Sequence, residues 1–223
     1  MSHFSPASLT PERLREATLT LAEQDPELGA IVGQHGVPPM WGREPGFGAL
    51  FHIILEQQVS QASALTLFRR ISAELGDMTP ERVAERGTEG LRALGLTRQK
   101  AHYCDSLARR VLAGTLDLDA IHRAPDEWGR QQLLALPGLG PWSVDVYYLM
   151  ALKRPDIWPQ GDLALAVALH SAKSLPARPD RGRQLELAQA WAPWRSVAAR
   201  ILWMHYLAEQ GKYPLPVPGA TPG

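Results

Sequence analysis

Cysteine is almost missing from this chain. Cys104 is the only one among 223 residues, which excludes a disulfide within the chain and any cluster held by several thiolates. An intracellular location is the expectation. Long apolar runs are missing too: none approaches the roughly 20 residues that cross a bilayer, so no membrane partner is expected. Residues 1–11 lack a basic segment followed by an apolar one, so no signal peptide is expected. There is no useful stretch of alternating apolar and polar residues, which argues against a sheet. Nucleotide-type glycine loops and Gly-x-Ser-x-Gly turns are absent, and the seven histidines are scattered without a metal-ligand pair at helical spacing. Common small-molecule chemistries are therefore disfavoured. A surplus of either charge is also lacking, the formal net charge being zero.

What is present is an apolar fraction of 45 %, enough for a folded core. Charge is unevenly spread. Residues 1–90 carry seven basic and twelve acidic side chains, whereas residues 91–110 carry Arg92, Arg98, Lys100, Arg109 and Arg110 against Asp105 alone. Such a stripe suits a phosphate backbone or simply a solvated helix face.

Helical signals fill the chain. Thr10-Pro11-Glu12 and Thr79-Pro80-Glu81 read as capped helix starts. Leu14, Ala17, Leu21 and Ala22 share a face. Residues 31–46, rich in Gly and Pro, read as a loop, and residues 47–55 as a buried helix. Ala62, Leu65, Phe68, Ile71 and Leu75 recur at helical spacing over residues 61–75, as do Ala101, Cys104, Leu107, Ala108 and Val111 after Thr97. Further helices are expected at about 125–136, 142–152, 162–174, 183–191 and 194–210, with a proline-rich tail over the last ten residues. The fold class is all-α, of about ten helices.

Four stretches carry chemistry. In Leu136-Pro137-Gly138-Leu139-Gly140-Pro141-Trp142-Ser143, the glycines permit positive φ and close backbone approach, and the helix that follows offers its N-terminal amides to an anion. An ordinary glycine-bearing turn fits the same residues. Asp162, 24 residues after Gly138, heads a helix. It reads as an N-cap, and also as a carboxylate that could stabilise an oxocarbenium-like sugar. Trp191-Ala192-Pro193-Trp194-Arg195-Ser196 adds to a set of seven tryptophans, whose faces attract cationic planar rings or fill a core. Glu56-Gln57-Gln58-Val59-Ser60 ends an apolar helix, either as a turn projecting a side chain or as a solvent-facing end.

In this order the motifs resemble the helix-hairpin-helix DNA glycosylase superfamily, of the alkylpurine (3-methyladenine) glycosylase II type, over about residues 12–210. The resemblance implies two helical subdomains with a cleft between them, residues 1–44 with 136–223 forming one and 45–135 the other. It implies double-stranded DNA as partner, with the damaged nucleotide flipped out, and a monofunctional enzyme of base excision repair. Asp162 would be catalytic, and Gln58 would fill the gap in the duplex. Trp142 and Trp191 would wall the base pocket, with Val146 and Leu163 also lining it. Gly138, Leu139, Gly140 and Trp142 would hold a phosphate. The carbonyls of Leu134, Leu136 and Leu139 would hold Na+ or K+, with no cofactor required. The location would be cytoplasmic and nucleoid-associated, and the state monomeric.

Some departures stand out. Relatives that also cut the strand place a Schiff-base lysine where this chain has Trp142. Too few residues precede Phe47 for the N-terminal β-rich domain of some bacterial relatives. Gly161 and Leu163 flank the aspartate where some relatives have an acid and an aromatic, and Val146 stands where an aromatic can line the pocket. These differences leave the substrate range open.

Overall fold

In the computed structural model, residues 8–213 are described. The expected proline-rich tail, residues 214–223, lies outside them, as does most of the N-terminal segment. Among the described residues there are twelve α-helices and no strand. They are α1 (Pro11–Gln24), α2 (Pro26–His35), α3 (Phe47–Glu56), α4 (Gln61–Leu75), α5 (Pro80–Ala93), α6 (Arg98–Leu112), α7 (Leu118–Arg123), α8 (Asp126–Leu134), α9 (Pro141–Met150), α10 (Leu163–Ala172), α11 (Arg181–Ala188) and α12 (Arg195–Glu209). A 3₁₀ turn covers Gln189–Trp191. None is long and apolar enough to cross a membrane.

The caps explain the boundaries. Thr10, Asp25, Ser60, Thr79, Thr97, Asp117, Asp162 and Asp180 each accept a hydrogen bond from the amide three residues on, and Pro11, Pro26, Pro80 and Pro141 stand inside the first turns. Two helices escaped the sequence reading. Helix α2 ends within the expected loop, which shortens to residues 36–46. Its Gly29 is required because a Cβ there would meet the Ala22 carbonyl oxygen at 2.5 Å, so α1 and α2 pack backbone to backbone. Helix α7 has only six residues, too short for a periodic signal. The stripe on α4 is only half internal: Ile71 and Leu75 are buried with Ala64, while Ala62 and Leu65 are exposed.

The chain forms two compact units. One is Gly42–Leu152, and the other is Ser8–Trp41 with residues 153–213. The expected boundary at residue 135 is therefore displaced. The hairpin and α9 belong with the central helices because α9 packs on α3 and α8, the Tyr147 hydroxyl accepts from Gly46 N–H at 3.0 Å, and Gln57 bonds the hairpin.

Helix α3 is the core of the first unit. Leu50, Phe51, Ile53, Ile54 and Leu55 are all at most 1 % exposed, a helix apolar on every side and enclosed on every side. Each such side chain contributes about 1.5–3 kcal/mol on burial. In the second unit α12 plays that part, through Val197, Ala198, Ile201, Leu202 and Met204. It also encloses Arg200, whose Nη1 donates to the Trp41 carbonyl at 2.5 Å and whose pKa burial pushes down to about 10.

The second unit also contains a charged knot. Lys173 Nζ donates to both Asp25 carboxylate oxygens at 2.9 and 3.1 Å, and Trp191 Nε1 donates to Asp25 Oδ2 at 2.8 Å. Burial pushes the Asp25 carboxyl up, but the bonds from Lys173, Trp191 and Leu28 more than offset it and hold the pKa below 3.8. A depressed folded-state pKa stabilises above the unfolded value and is lost as pH falls through the folded one. Lys173→Met should therefore lower Tm at neutral pH, and the gap to the native protein should shrink below about pH 4. Thermal melts of both proteins across pH 2–7 check this.

Candidate active site and phosphate-binding hairpin

The hairpin lies in the first unit. The chain leaves α8 at Leu134, turns through Gly138 and enters α9 at Pro141. Gly138 has φ +85, and a Cβ there would collide with the Tyr103 ring of α6. The glycine is thus demanded twice, by backbone conformation and by packing. Gly140 differs from expectation. Its φ of −88 is ordinary, so positive φ is not its reason. A Cβ there would meet nothing within 4 Å, which leaves the start of α9 open to close approach from outside. No side chain caps that start, so its N-terminal end suits an anion.

Trp142, on the first turn of α9, is half-buried, while Val146 is 4 % exposed and packs inside the unit, offering little surface to a base. Gln58 is exposed, at φ +58, in the turn after α3. A non-glycine residue held there projects its side chain at a conformational cost. Val59 beside it is 48 % exposed.

The basic stretch is largely spoken for. Lys100 Nζ donates to the Leu55 carbonyl at 2.7 Å, Arg109 pairs with Asp105 and Arg92 with Glu89. Arg98 and Arg110 are exposed.

Asp162 lies in the second unit. It caps α10, accepting from Leu165 N–H at 2.9 Å. The same Oδ1 accepts from Trp203 Nε1 at 3.3 Å. Asp162 is 8 % exposed, whereas neighbouring Leu163 is 68 % exposed. Gly161 has φ +75, a backbone conformation that favours glycine at that position.

Trp191 does not stand as expected. It is 1 % exposed, bonded to Asp25, 5.5 Å from the Trp158 ring and 5.8 Å from Lys173 Nζ by ring centroid. No ring face is left for a base, so Trp191 is a core residue. The tryptophan that reaches Asp162 is Trp203, half-buried on α12. Sequence reading passed over it because it sits in an apolar helix that reads as core. Its one signal is position, two turns along the helix begun by Arg195-Ser196.

That segment has a structural task. Arg195 grips Asp156 with Nε and Nη2, both at 2.7 Å, and this ion pair raises its pKa. Ser196 Oγ donates to the Arg154 carbonyl at 2.6 Å and accepts from Ile157 N–H at 2.9 Å. Together they fasten the loop that delivers Asp162 to the head of α10.

Residues 51–193 match the family of HhH-GPD superfamily base excision DNA repair proteins. The chain belongs to this superfamily. Among its relatives is Bacillus subtilis YfjP, 28 % identical over 184 residues, with 79 % of this chain and 64 % of that protein covered. DNA-3-methyladenine glycosylase 2 of Escherichia coli is 28 % identical over 161 residues, covering 67 % of this chain and 54 % of the relative. The chain thus spans less than two thirds of both relatives. Its fold is that of Schizosaccharomyces pombe Mag1, a 3-methyladenine DNA glycosylase solved with abasic DNA. The TM-score is 0.77 and the identity 24 %, over 84 % of this chain and 95 % of that one. An all-helical HhH-GPD fold, as the motifs implied, is the fold of this chain.

Proposed function

We propose that this HhH-GPD protein is a monofunctional DNA glycosylase. It hydrolyses the N-glycosidic bond of alkylated bases, 3-methyladenine and 7-methylguanine among them, in double-stranded DNA, acting as a monomer in base excision repair. The observation that carries this reading is Asp162, a carboxylate fixed at a helix N-terminus by an amide and an indole N–H. Such a charge opposes the positive charge that develops on the sugar as the bond breaks. An N-alkylated purine that is already cationic leaves as a neutral base. Water adds at the anomeric carbon and gives up a proton, and an abasic site remains. The fixed carboxylate needs no acid partner for such a substrate, so the lability of the bond chooses the lesion.

The other parts have matching tasks. Gln58 enters the stack vacated by the flipped nucleotide. The open start of α9 holds a backbone phosphate. Trp142 contributes an aromatic surface and cannot form a Schiff base, so no strand cleavage follows. Trp203 and exposed Leu163, flanking Asp162, supply apolar surface for the base. Around the turn after α8, the carbonyls of Leu134, Leu136 and Leu139 would supply the oxygen donors for a bound ion. Leu134 ends α8, where the helix dipole is negative, and neutral carbonyl oxygens suit a monovalent cation rather than a transition metal. Bound there, Na+ or K+ would neutralise that end of the hairpin.

Methylated duplex DNA tests the proposal. The protein should release 3-methyladenine and leave strands that are uncut until alkali is added. No adduct should form on borohydride treatment. Trapping of a covalent adduct would mean a lyase, and duplex binding without any release would mean a non-catalytic binding module.

A further inference from the structure

Three consecutive residues at the end of α3 are each tied to a different element of the first unit. The Leu55 carbonyl accepts from Lys100 of α6 at 2.7 Å. Glu56, 8 % exposed, accepts from Arg43 at 2.5 Å. Gln57, the C-cap, turns to extended backbone at φ −60 and ψ 125. Its Nε2 donates to the Gly138 carbonyl at 2.6 Å and to Ser143 Oγ at 3.0 Å. The next residue, Gln58, is exposed and left-handed.

We propose that Gln57 is a positioning residue, whose two bonds lock the turn that bears Gln58 to the phosphate-binding hairpin. The inference rests on the reading of Gln58 as the residue that enters the duplex.

One carboxamide spans the two elements by which this unit would engage DNA. Gly138 is the apex glycine of the hairpin, and Ser143, 3 % exposed, stands in the first turn of α9. A hairpin seated on phosphate therefore sets where the Gln58 turn lies, and Gln58 need not find its register separately. The chemistry favours glutamine. Its amide group points a donor at the Gly138 carbonyl, where a carboxylate would oppose oxygen to oxygen. The backbone at Gln58 is held at positive φ against its own preference, so the turn needs such external fastening.

The expected effect is on distortion of DNA, with the grip unchanged. Misplacing a group by about 1 Å can cost up to 10²-fold in rate. Gln57→Ala and Gln57→Glu should each lower the single-turnover rate of base release about ten- to hundredfold. Affinity for undamaged duplex should stay within about twofold, since the hairpin amides remain, and Tm should fall by no more than about 8 °C, the loss of two hydrogen bonds.

The deciding experiment is a double-mutant cycle with Gln58→Ala, read by 2-aminopurine fluorescence beside the lesion, which needs no catalysis. Native protein should raise the fluorescence, and Gln57→Ala and Gln58→Ala should each suppress it. Adding Gln57→Ala to Gln58→Ala should change nothing further. Independent, multiplying effects would overturn the proposal, as would a parallel loss of undamaged-duplex affinity, which would make Gln57 part of the grip itself. A native-level signal from Gln58→Ala would remove the wedge reading and this inference with it. A native protein that distorts the duplex yet releases no base would instead count against the glycosylase reading alone.

Discussion

Asp162→Asn is expected to lower the rate of 3-methyladenine release from duplex DNA by about 10²–10³-fold while leaving the fold intact. The substitution separates the two tasks of this side chain. As a cap, Asp162 accepts the Leu165 amide at 2.9 Å, and asparagine caps helices about as well as aspartate. As a charge, it opposes the growing cation on the sugar, which a neutral carboxamide cannot do. Trp203 Nε1 still has an oxygen to meet at the same place. Asp162→Ala would confound the tasks, removing about 1 kcal/mol of capping along with the charge. Single-turnover release from methylated duplex, with a thermal melt of each variant, separates them. The mechanism fails if Asp162→Asn releases the base at the native rate. A large loss of Tm in the same variant would mean instead that the carboxylate is chiefly structural.

How far the sequence foretold this site depends on how local each feature is. Caps and hairpins are written in neighbouring residues, so Asp162 as a helix cap and Leu136–Pro141 as a turn were legible locally, whereas the roles expected of them came only from the resemblance of the motifs in order. Gln58 was legible as the polar end of an apolar run. Of the two reasons the sequence offered for Gly140, positive φ does not apply, its φ being ordinary, while the open space around it agrees with close backbone approach. Trp191 and Trp203 show the limit most clearly. Both are tryptophans in apolar surroundings, and nothing within a few residues of either says which reaches Asp162. The partner of Trp191 is Asp25, 166 residues away, and Trp203 is 41 residues from Asp162. The placement of the hairpin was hidden for the same reason, since it depends on α3 contacts made by Gln57. Helix α2 was obscured because glycine lowers helix propensity, while Gly29 serves a close helix contact that no local pattern records.

The hairpin should also prove sensitive to one ion pair beneath it. Asp145 of α9 is 1 % exposed and bonded to Arg130 of α8, whose guanidinium lies 5.4 Å from the Tyr148 ring centroid. The two helices that flank the hairpin turn are joined here. Arg130→Met keeps much of the side-chain volume but removes the counter-charge from a carboxylate enclosed in protein, a change that costs about 3–5 kcal/mol. Asp145→Asn should cost less, about 1–3 kcal/mol. Arg130 is 20 % exposed at its side chain, and its long stem can carry the cation towards water. Arg130→Lys should fall between, keeping the charge and losing the planar fork. Urea unfolding of the three variants gives the order directly. Equal losses for Arg130→Met and Asp145→Asn would show that burial of the carboxylate is not what makes the pair matter. If the ordering holds, Arg130→Met should also weaken binding to undamaged duplex at temperatures where it is still folded, because α9 presents the amides and α8 fixes its angle.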